Sequence, residues 1–195
     1  MKGTKMQLSN KHSAGLLRAG LVSLGLLAGA ASLRAHVPVP QCPSNCDDFM
    51  TGGGWIVVPG AFCNNKANFG FVGGIKNGRM WGSLNYKDHC TGNHIKGTDV
   101  KAYCFIQPQC PPNPAAEPCR RIVYSGTFDG VPVDVIIDVC DNGEPGNRDT
   151  FAISVYPVGT VVGCEPTTGA FYSRSGTLGG GGPGGGNIQL HRHCP

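Results

Sequence analysis

The chain has 195 residues, among them 31 Gly, 15 Pro and 10 Cys, and only 14% of it is charged. Its formal charge of +4 belongs to its start: the first 35 residues hold Lys2, Lys5, Lys11, Arg18 and Arg34 and no acid, leaving 11 Lys and Arg against 12 Asp and Glu beyond them. That balance excludes a chain drawn as a whole to nucleic acid, which needs an excess of clustered cations, and so much Gly and Pro excludes a helical bundle.

The basic start runs into an uncharged apolar stretch of 12 residues, Ala19 to Ala30, ending in Ala28-Gly29-Ala30. Basic flank, short apolar core and Ala-x-Ala site are the parts of a secretory signal peptide, expected over residues 1–30 with cleavage as late as Ala35. The stretch is shorter than the roughly 20 residues a spanning helix needs. No second apolar run follows, so no membrane span is expected after the leader. Residues 31–48 hold Pro38, Pro40, Pro43 and Cys42-Pro43-Ser44-Asn45-Cys46. They read as an extended lead-in, because proline removes ladder donors from a central strand.

Residues 49–195 form the expected domain, and its hydrophobic period is two. Strands are expected at Trp55–Val58, Ala67–Val72, Met80–Tyr86 and Val100–Ile106, with a hairpin turn at Asn77-Gly78. Gln107 to Cys119 is a proline-rich loop. Ile122–Phe128 turns through Asp129-Gly130 into Val131–Val139, followed by strands at Phe151–Tyr156 and Ile188–His191. The Gly-rich stretch 179–186 lacks the Lys and Ser/Thr of a phosphate loop and reads as a flexible connection into the last strand. Short alternating strands in one domain predict an all-β, antiparallel, disulfide-crosslinked fold of sandwich or jelly-roll type, with a closed barrel as the competing architecture.

Cys42, Cys46, Cys63, Cys90, Cys104, Cys110, Cys119, Cys140, Cys164 and Cys194 all follow the leader. In an exported chain, oxidation is the default fate of such thiols. Ten cysteines allow on the order of a thousand pairings. Proximity suggests Cys110–Cys119, Cys63–Cys90, Cys104–Cys140 and Cys164–Cys194, with Cys42–Cys46 as a small ring. Zinc is the rival use, since His89, Cys90, His94, His191, His193 and Cys194 mix the right donors. Their spacing matches no zinc module, however, and no metal site is expected.

No nucleophile elbow or metalloprotease motif occurs. Asp134 and Asp138 share a strand face and are the one candidate carboxylate pair for glycoside chemistry. Asp138 to Asp149 is rich in oxygen donors, but it lacks calcium-loop spacing and reads as a turn on Asn142-Gly143. Neither calcium nor another cofactor is expected. Trp55, Trp81, Tyr86, Tyr103, Tyr124, Tyr156 and Tyr172 fill the core and its margins, or stack against sugars on a strand face.

Met50-Thr51-Gly52-Gly53-Gly54-Trp55-Ile56 followed by Ala67-Asn68-Phe69-Gly70-Phe71-Val72 resembles the opening of the bacterial post-COAP domain family. Asp149-Thr150-Phe151-Ala152-Ile153 is similar to its penultimate strand, and Gly184-Gly185-Gly186-Asn187-Ile188-Gln189-Leu190-His191 to its Gly-rich closing strand. The resemblance covers about residues 49–193. It implies an exported, β-rich module with no established enzymatic role and no functional residues to carry over. The many cysteines and the proline insert at Gln107–Cys119 depart from that pattern.

These features predict a secreted, non-enzymatic module outside the cell or in the periplasm, binding an extracellular protein or glycan but not nucleic acid. A small secreted glycan hydrolase working through Asp134 and Asp138, and a disulfide-rich inhibitor presenting the Gln107–Cys119 loop, are the alternatives.

Overall fold

The computed structural model describes residues 47–58, 65–106 and 117–193. The expected leader, most of the expected lead-in, most of the proline loop, and Cys42, Cys46, Cys63, Cys110 and Cys194 lie outside the described residues.

Eleven strands follow in chain order: β1 Asp47–Val57, β2 Lys66–Lys76, β3 Arg79–Asp88, β4 His94–Phe105, β5 Cys119–Phe128, β6 Val131–Cys140, β7 Thr150–Pro157, β8 Val161–Val162, β9 Glu165–Pro166, β10 Tyr172–Thr177 and β11 Gly186–His193. The chain is all-β and antiparallel, as its alternation requires. Nine strands form one sheet in the order β10-β7-β6-β5-β4-β3-β2-β1-β11, and β8 with β9 forms a separate small hairpin. The sheet curls until its ends approach, with Ile56 of β1 bridged to Leu178 just beyond β10. The choice between sandwich and barrel thus resolves as one curled meander whose concave face encloses the core.

The turns follow local chemistry. Asn77 and Gly78 sit at φ 50° and 70°, Asp129 and Gly130 at 49° and 87°. These are the left-handed angles of two-residue hairpins, where Asn, Asp and Gly meet little steric penalty.

Alternation sends Phe69 and Phe71 of β2, Val133, Val135, Ile137 and Val139 of β6, and Phe151, Ile153 and Val155 of β7 into one interior cluster. Phe69 stacks on Phe151 with centroids 3.9 Å apart. Burying each such side chain contributes roughly 1.5–3 kcal/mol. A second cluster lies on the opposite face of the sheet: Ala102, Val123, Ile136 and Tyr156, packed against Val161 and Cys164 of the β7–β10 connection. That connection is a flap over the outside of β4 to β7.

The Gly-rich stretch is not a loose connection. It makes a short 3-10 turn at Gly179–Gly181, and Trp55 N–H donates to the Gly185 carbonyl at 2.9 Å. A Cβ on Gly185 would lie 2.1 Å from the Gly179 nitrogen, so glycine is used here for close backbone approach.

Two disulfides lie wholly within the described residues, Cys104–Cys164 and Cys119–Cys140. Cys90 is disulfide-bonded as well. The pairings Cys104–Cys140, Cys110–Cys119 and Cys164–Cys194 suggested by sequence proximity are therefore incorrect. Cys104 and Cys140 lie on β4 and β6, which β5 separates. Cys119 instead faces Cys140 directly across the β5–β6 ladder. Cys164 reaches Cys104 because the flap folds back over β4. These bridges indicate an oxidising compartment. Among the described residues, no helix is long and apolar enough to cross a membrane.

Candidate functional site

The candidate carboxylate pair holds the flap. Asp134 and Asp138 share the outer face of β6, as alternation predicts, with Ile136 between them. Asp134 is only 1% exposed. It pairs with Lys101 at 2.7 Å and accepts the amides of Gly159 at 2.9 Å and Val161 at 3.3 Å. Asp138 takes a bidentate grip from Arg121, both contacts at 2.8 Å, and Arg121 also donates to the Cys164 carbonyl at 3.2 Å. Each carboxylate is committed to cations or flap amides rather than aimed together at a cleft.

Two polar networks lie within the curl. Arg120 is fully buried. It grips Asp48 through Nε at 3.0 Å and Nη2 at 2.7 Å and donates Nη1 to the carbonyls of Glu117 and Cys119. Tyr103 donates to the same Asp48 at 2.5 Å; burial first, then the neighbouring carboxylate, holds its phenol well above the usual range.

In the second network Tyr172 donates to Asp88 at 2.8 Å and meets the Tyr86 hydroxyl at 3.0 Å, while Arg174 pairs with the same carboxylate at 3.1 Å. Burial pushes the Tyr86 phenol up to about 12. Burial also pushes Asp88 up, but the Thr91 amide, the Tyr172 hydroxyl and the Cys90 amide outweigh it and hold the carboxyl below its ordinary value. A depressed folded value gives stability that is present above the unfolded value and lost as pH falls through the folded one. Asp88→Asn removes that term, so its stability deficit relative to wild type is expected to shrink between about pH 5 and about pH 2. Urea unfolding of both proteins at the two pH values checks this.

The loop between β6 and β7 directs its oxygens to main-chain amides. Asp141 accepts from Gly143 at 3.1 Å and Leu190 at 2.9 Å. Asp149 accepts from Asn142 and Ile188, each at 2.8 Å, and burial raises its carboxyl above the ordinary value. The loop braces β11, and among the described residues no group of three potential ligands converges on a metal position. The zinc donors are dispersed too. Cys90 is in a disulfide, His94 of β4 bonds Asn85 at 2.6 Å, and His191 of β11 bonds Thr51 at 2.9 Å.

The tyrosines settle inward, Tyr86 and Tyr124 fully buried, but the tryptophans do not. On the convex face of β11-β1-β2-β3 the registers align His191 with Phe49, Phe49 with Gly74 and Gly74 with Trp81. Phe49 stacks on His191 with centroids 4.7 Å apart and meets Trp81 edge-on at 5.7 Å. Gly74, at φ 149°, makes this row possible, since a Cβ there would lie 2.4 Å from the Phe49 Cα. Trp81 is 36% exposed. Lys76, Asn77, Arg79 and Trp81 border a shallow depression of about 590 Å³. Further along the face, Gln189, Ser83 and Asn85 are exposed, and Trp55 lies under the Lys66 ammonium at 4.1 Å.

Phe49, Lys76 and Arg79 escape the sequence reading. A signal existed: Lys76 and Arg79 flank a two-residue hairpin turn and must face the same side as Trp81, two residues on. That β11 lies beside β1 has no such local signal.

In comparisons with known proteins, no family model, no curated protein and no solved structure matches the chain.

Proposed function

We propose that the chain is an exported, non-catalytic binding module that holds a glycan against the convex face of β11-β1-β2-β3. The observation that carries this reading is the aligned row His191–Phe49–Trp81 on the convex face, half-buried at His191 and Phe49 and exposed at Trp81. A large exposed aromatic such as Trp81 costs solubility and marks a contact surface, and aromatic rings carried on strands suit stacking against sugars. The amides and hydroxyls beside them offer donors and acceptors for sugar hydroxyls. Export is supported by the expected leader and by the disulfides. The resemblance to the post-COAP family agrees with a non-enzymatic exterior role, and its opening and closing motifs fall on β1, β2 and β11, three adjacent strands of this face.

The hydrolase reading is disfavoured by the engagement of Asp134 and Asp138 with the flap. The inhibitor reading rests on residues outside those described.

Trp81→Ala is expected to weaken glycan binding by about tenfold or more, the loss usual for a central aromatic contact. Affinity electrophoresis against a panel of soluble polysaccharides measures it. Binding that survives both Trp81→Ala and Phe49→Ala unchanged would remove the basis for this reading.

A further inference from the structure

The near-neutral composition of the chain after its leader conceals a segregation of charge. Of its 11 Lys and Arg, five are held by carboxylates: Lys101 by Asp134, Arg120 and Arg192 by Asp48, Arg121 by Asp138 and Arg174 by Asp88. The cations without an ion pair among the described residues are Lys66, Lys76, Arg79, Lys87, Lys96 and Arg148. All but Arg148 lie on β2, β3 and the first half of β4.

Alternation puts these five on one side of the sheet, the side of Trp55 and Trp81, opposite the buried Ala67, Phe69, Leu84, Tyr86 and Ile95. The registers pair Lys76 with Arg79, Asn68 with Lys87 and Asn85 with Lys96. Rows on one face are two residues apart, about 7 Å. Two of the carboxylates that border the stripe are turned to the backbone, Asp47 accepting the Asn77 amide and Asp129 the His94 amide, both at 2.7 Å; the exposed Asp99 closes the stripe beyond Lys96 on β4.

From this placement we infer that the ligand of the convex face is an acidic polysaccharide, its carboxylates or sulfates set against the cation stripe of β2–β3–β4 and its rings against Trp81 and Phe49. The inference rests on the glycan-binding reading above and narrows it. Lys76 lies 5.6 Å from the Trp81 ring centroid and 5.4 Å from that of Phe49, so one sugar stacked there brings its acidic group within reach of Lys76 and Arg79. The exposed Asn68, Ser83 and Asn85 between the cations suit a ligand that carries hydroxyls along its whole length. That favours a glycan over single-stranded nucleic acid, which would ask for more stacking surfaces than the stripe presents.

The test uses the disulfide-intact chain without its leader, in affinity electrophoresis against two matched pairs: polygalacturonate with fully methyl-esterified pectin, and dextran sulfate with dextran. Poly(dT) is a fifth probe. Retention is expected on an acidic polymer and about tenfold less on its neutral partner, weakening as salt is added. The acidic polymer retained more strongly distinguishes carboxylate from sulfate as the natural group.

Lys76→Gln with Arg79→Gln is expected to weaken acidic binding about tenfold and flatten the salt dependence, with thermal melts unchanged because both side chains are exposed. Arg148→Gln, off the stripe, is expected to bind as wild type. Equal, Trp81-dependent retention on acidic and neutral polymers overturns the inference and leaves the glycan-binding reading standing. The inference also fails if Arg148→Gln weakens binding as much as the double variant. No retention on any polysaccharide, or tighter retention on poly(dT) than on all of them, overturns both.

Discussion

Arg120→Ala is expected to destabilise the domain by about 3–5 kcal/mol, the loss typical when one partner of a buried ion pair is removed. The guanidinium is fully buried, and its Nε, Nη1 and Nη2 atoms all donate within the fold, to Asp48 and to the carbonyls of Glu117 and Cys119. Its plane also covers the Phe105 ring at 4.1 Å. Deleting it leaves the Asp48 carboxylate inside the curl with one phenol donor, Tyr103, and with Arg192 at 3.5 Å. Arg192 stands too far from Asp48 to hydrogen-bond it, and among the described residues its buried Nε and Nη1 atoms have no hydrogen-bond partner, so it does not reproduce the bidentate grip as it stands.

Urea unfolding under non-reducing conditions measures the loss. For a domain of this size a thermal melt should fall by roughly 2–4 °C per kcal/mol. The double variant Arg120→Met, Asp48→Leu separates the two origins of the effect. If the stranded charge dominates, removing both charges recovers much of the stability. If the bidentate geometry itself stabilises, the double variant stays as low as the single. A loss below about 1 kcal/mol in Arg120→Ala would mean that Arg192 does compensate.

Arg120 marks the limit of what a one-dimensional reading gives. The period of two along β5 puts Arg120 on the side of Ile122 and Tyr124, so the pattern itself points the arginine inward. What argues against that is the rule that Arg is almost never fully buried unless paired, and the partner, Asp48, lies 72 residues away. Where strands alternate cleanly between good turns, as around Asn77-Gly78 and Asp129-Gly130, the sequence suffices to place them.

It fails where alternation breaks. The start of β4 at His94 is hidden by Gly97 and by register shifts between Gly97 and Asp99 and between Val100 and Ala102. β10 carries a single large apolar residue, Tyr172, in Tyr-Ser-Arg-Ser-Gly-Thr. The aromatic row was hidden for another reason. Phe49 and His191 are 142 positions apart in the sequence, and only the β1–β11 register brings them face to face. The paired aspartates of β6 show the converse: the reading placed them on one face correctly, yet only the flap shows what that face does.

The flap gives the second large effect. Cys104→Ser with Cys164→Ser is expected to destabilise by about 3–4 kcal/mol, on the chain-entropy account of crosslinks. The two cysteines are 60 residues apart. The Cys119–Cys140 bridge lies within that interval and shortens the free path, which places the expectation below what an uninterrupted loop would give.

The loss should not be spread evenly. Cys104–Cys164 ties a segment whose other anchors include Asp134, accepting the Gly159 and Val161 amides, the Arg121 donation to the Cys164 carbonyl and the Arg121–Glu165 ion pair at 3.5 Å. Without the bridge those contacts and the packing of Val161 on Ile136 and Tyr156 must bear the ordering entropy of the flap, at about 1–2 kcal/mol per fixed residue. The segment therefore opens before the sheet does and uncovers Val123 and Ile136. Hydrogen exchange reads this directly: the Gly159 and Val161 amides should lose protection in the variant while those of β2 and β3 keep it. Cys119→Ser with Cys140→Ser, which joins two strands already paired in the ladder, should lower protection across β5 and β6 and leave the flap amides unchanged relative to their neighbours. Equal loss at all sites in both variants would show that the flap unfolds only with the whole domain, and that Asp134 rather than the sulfur bridge determines where it lies.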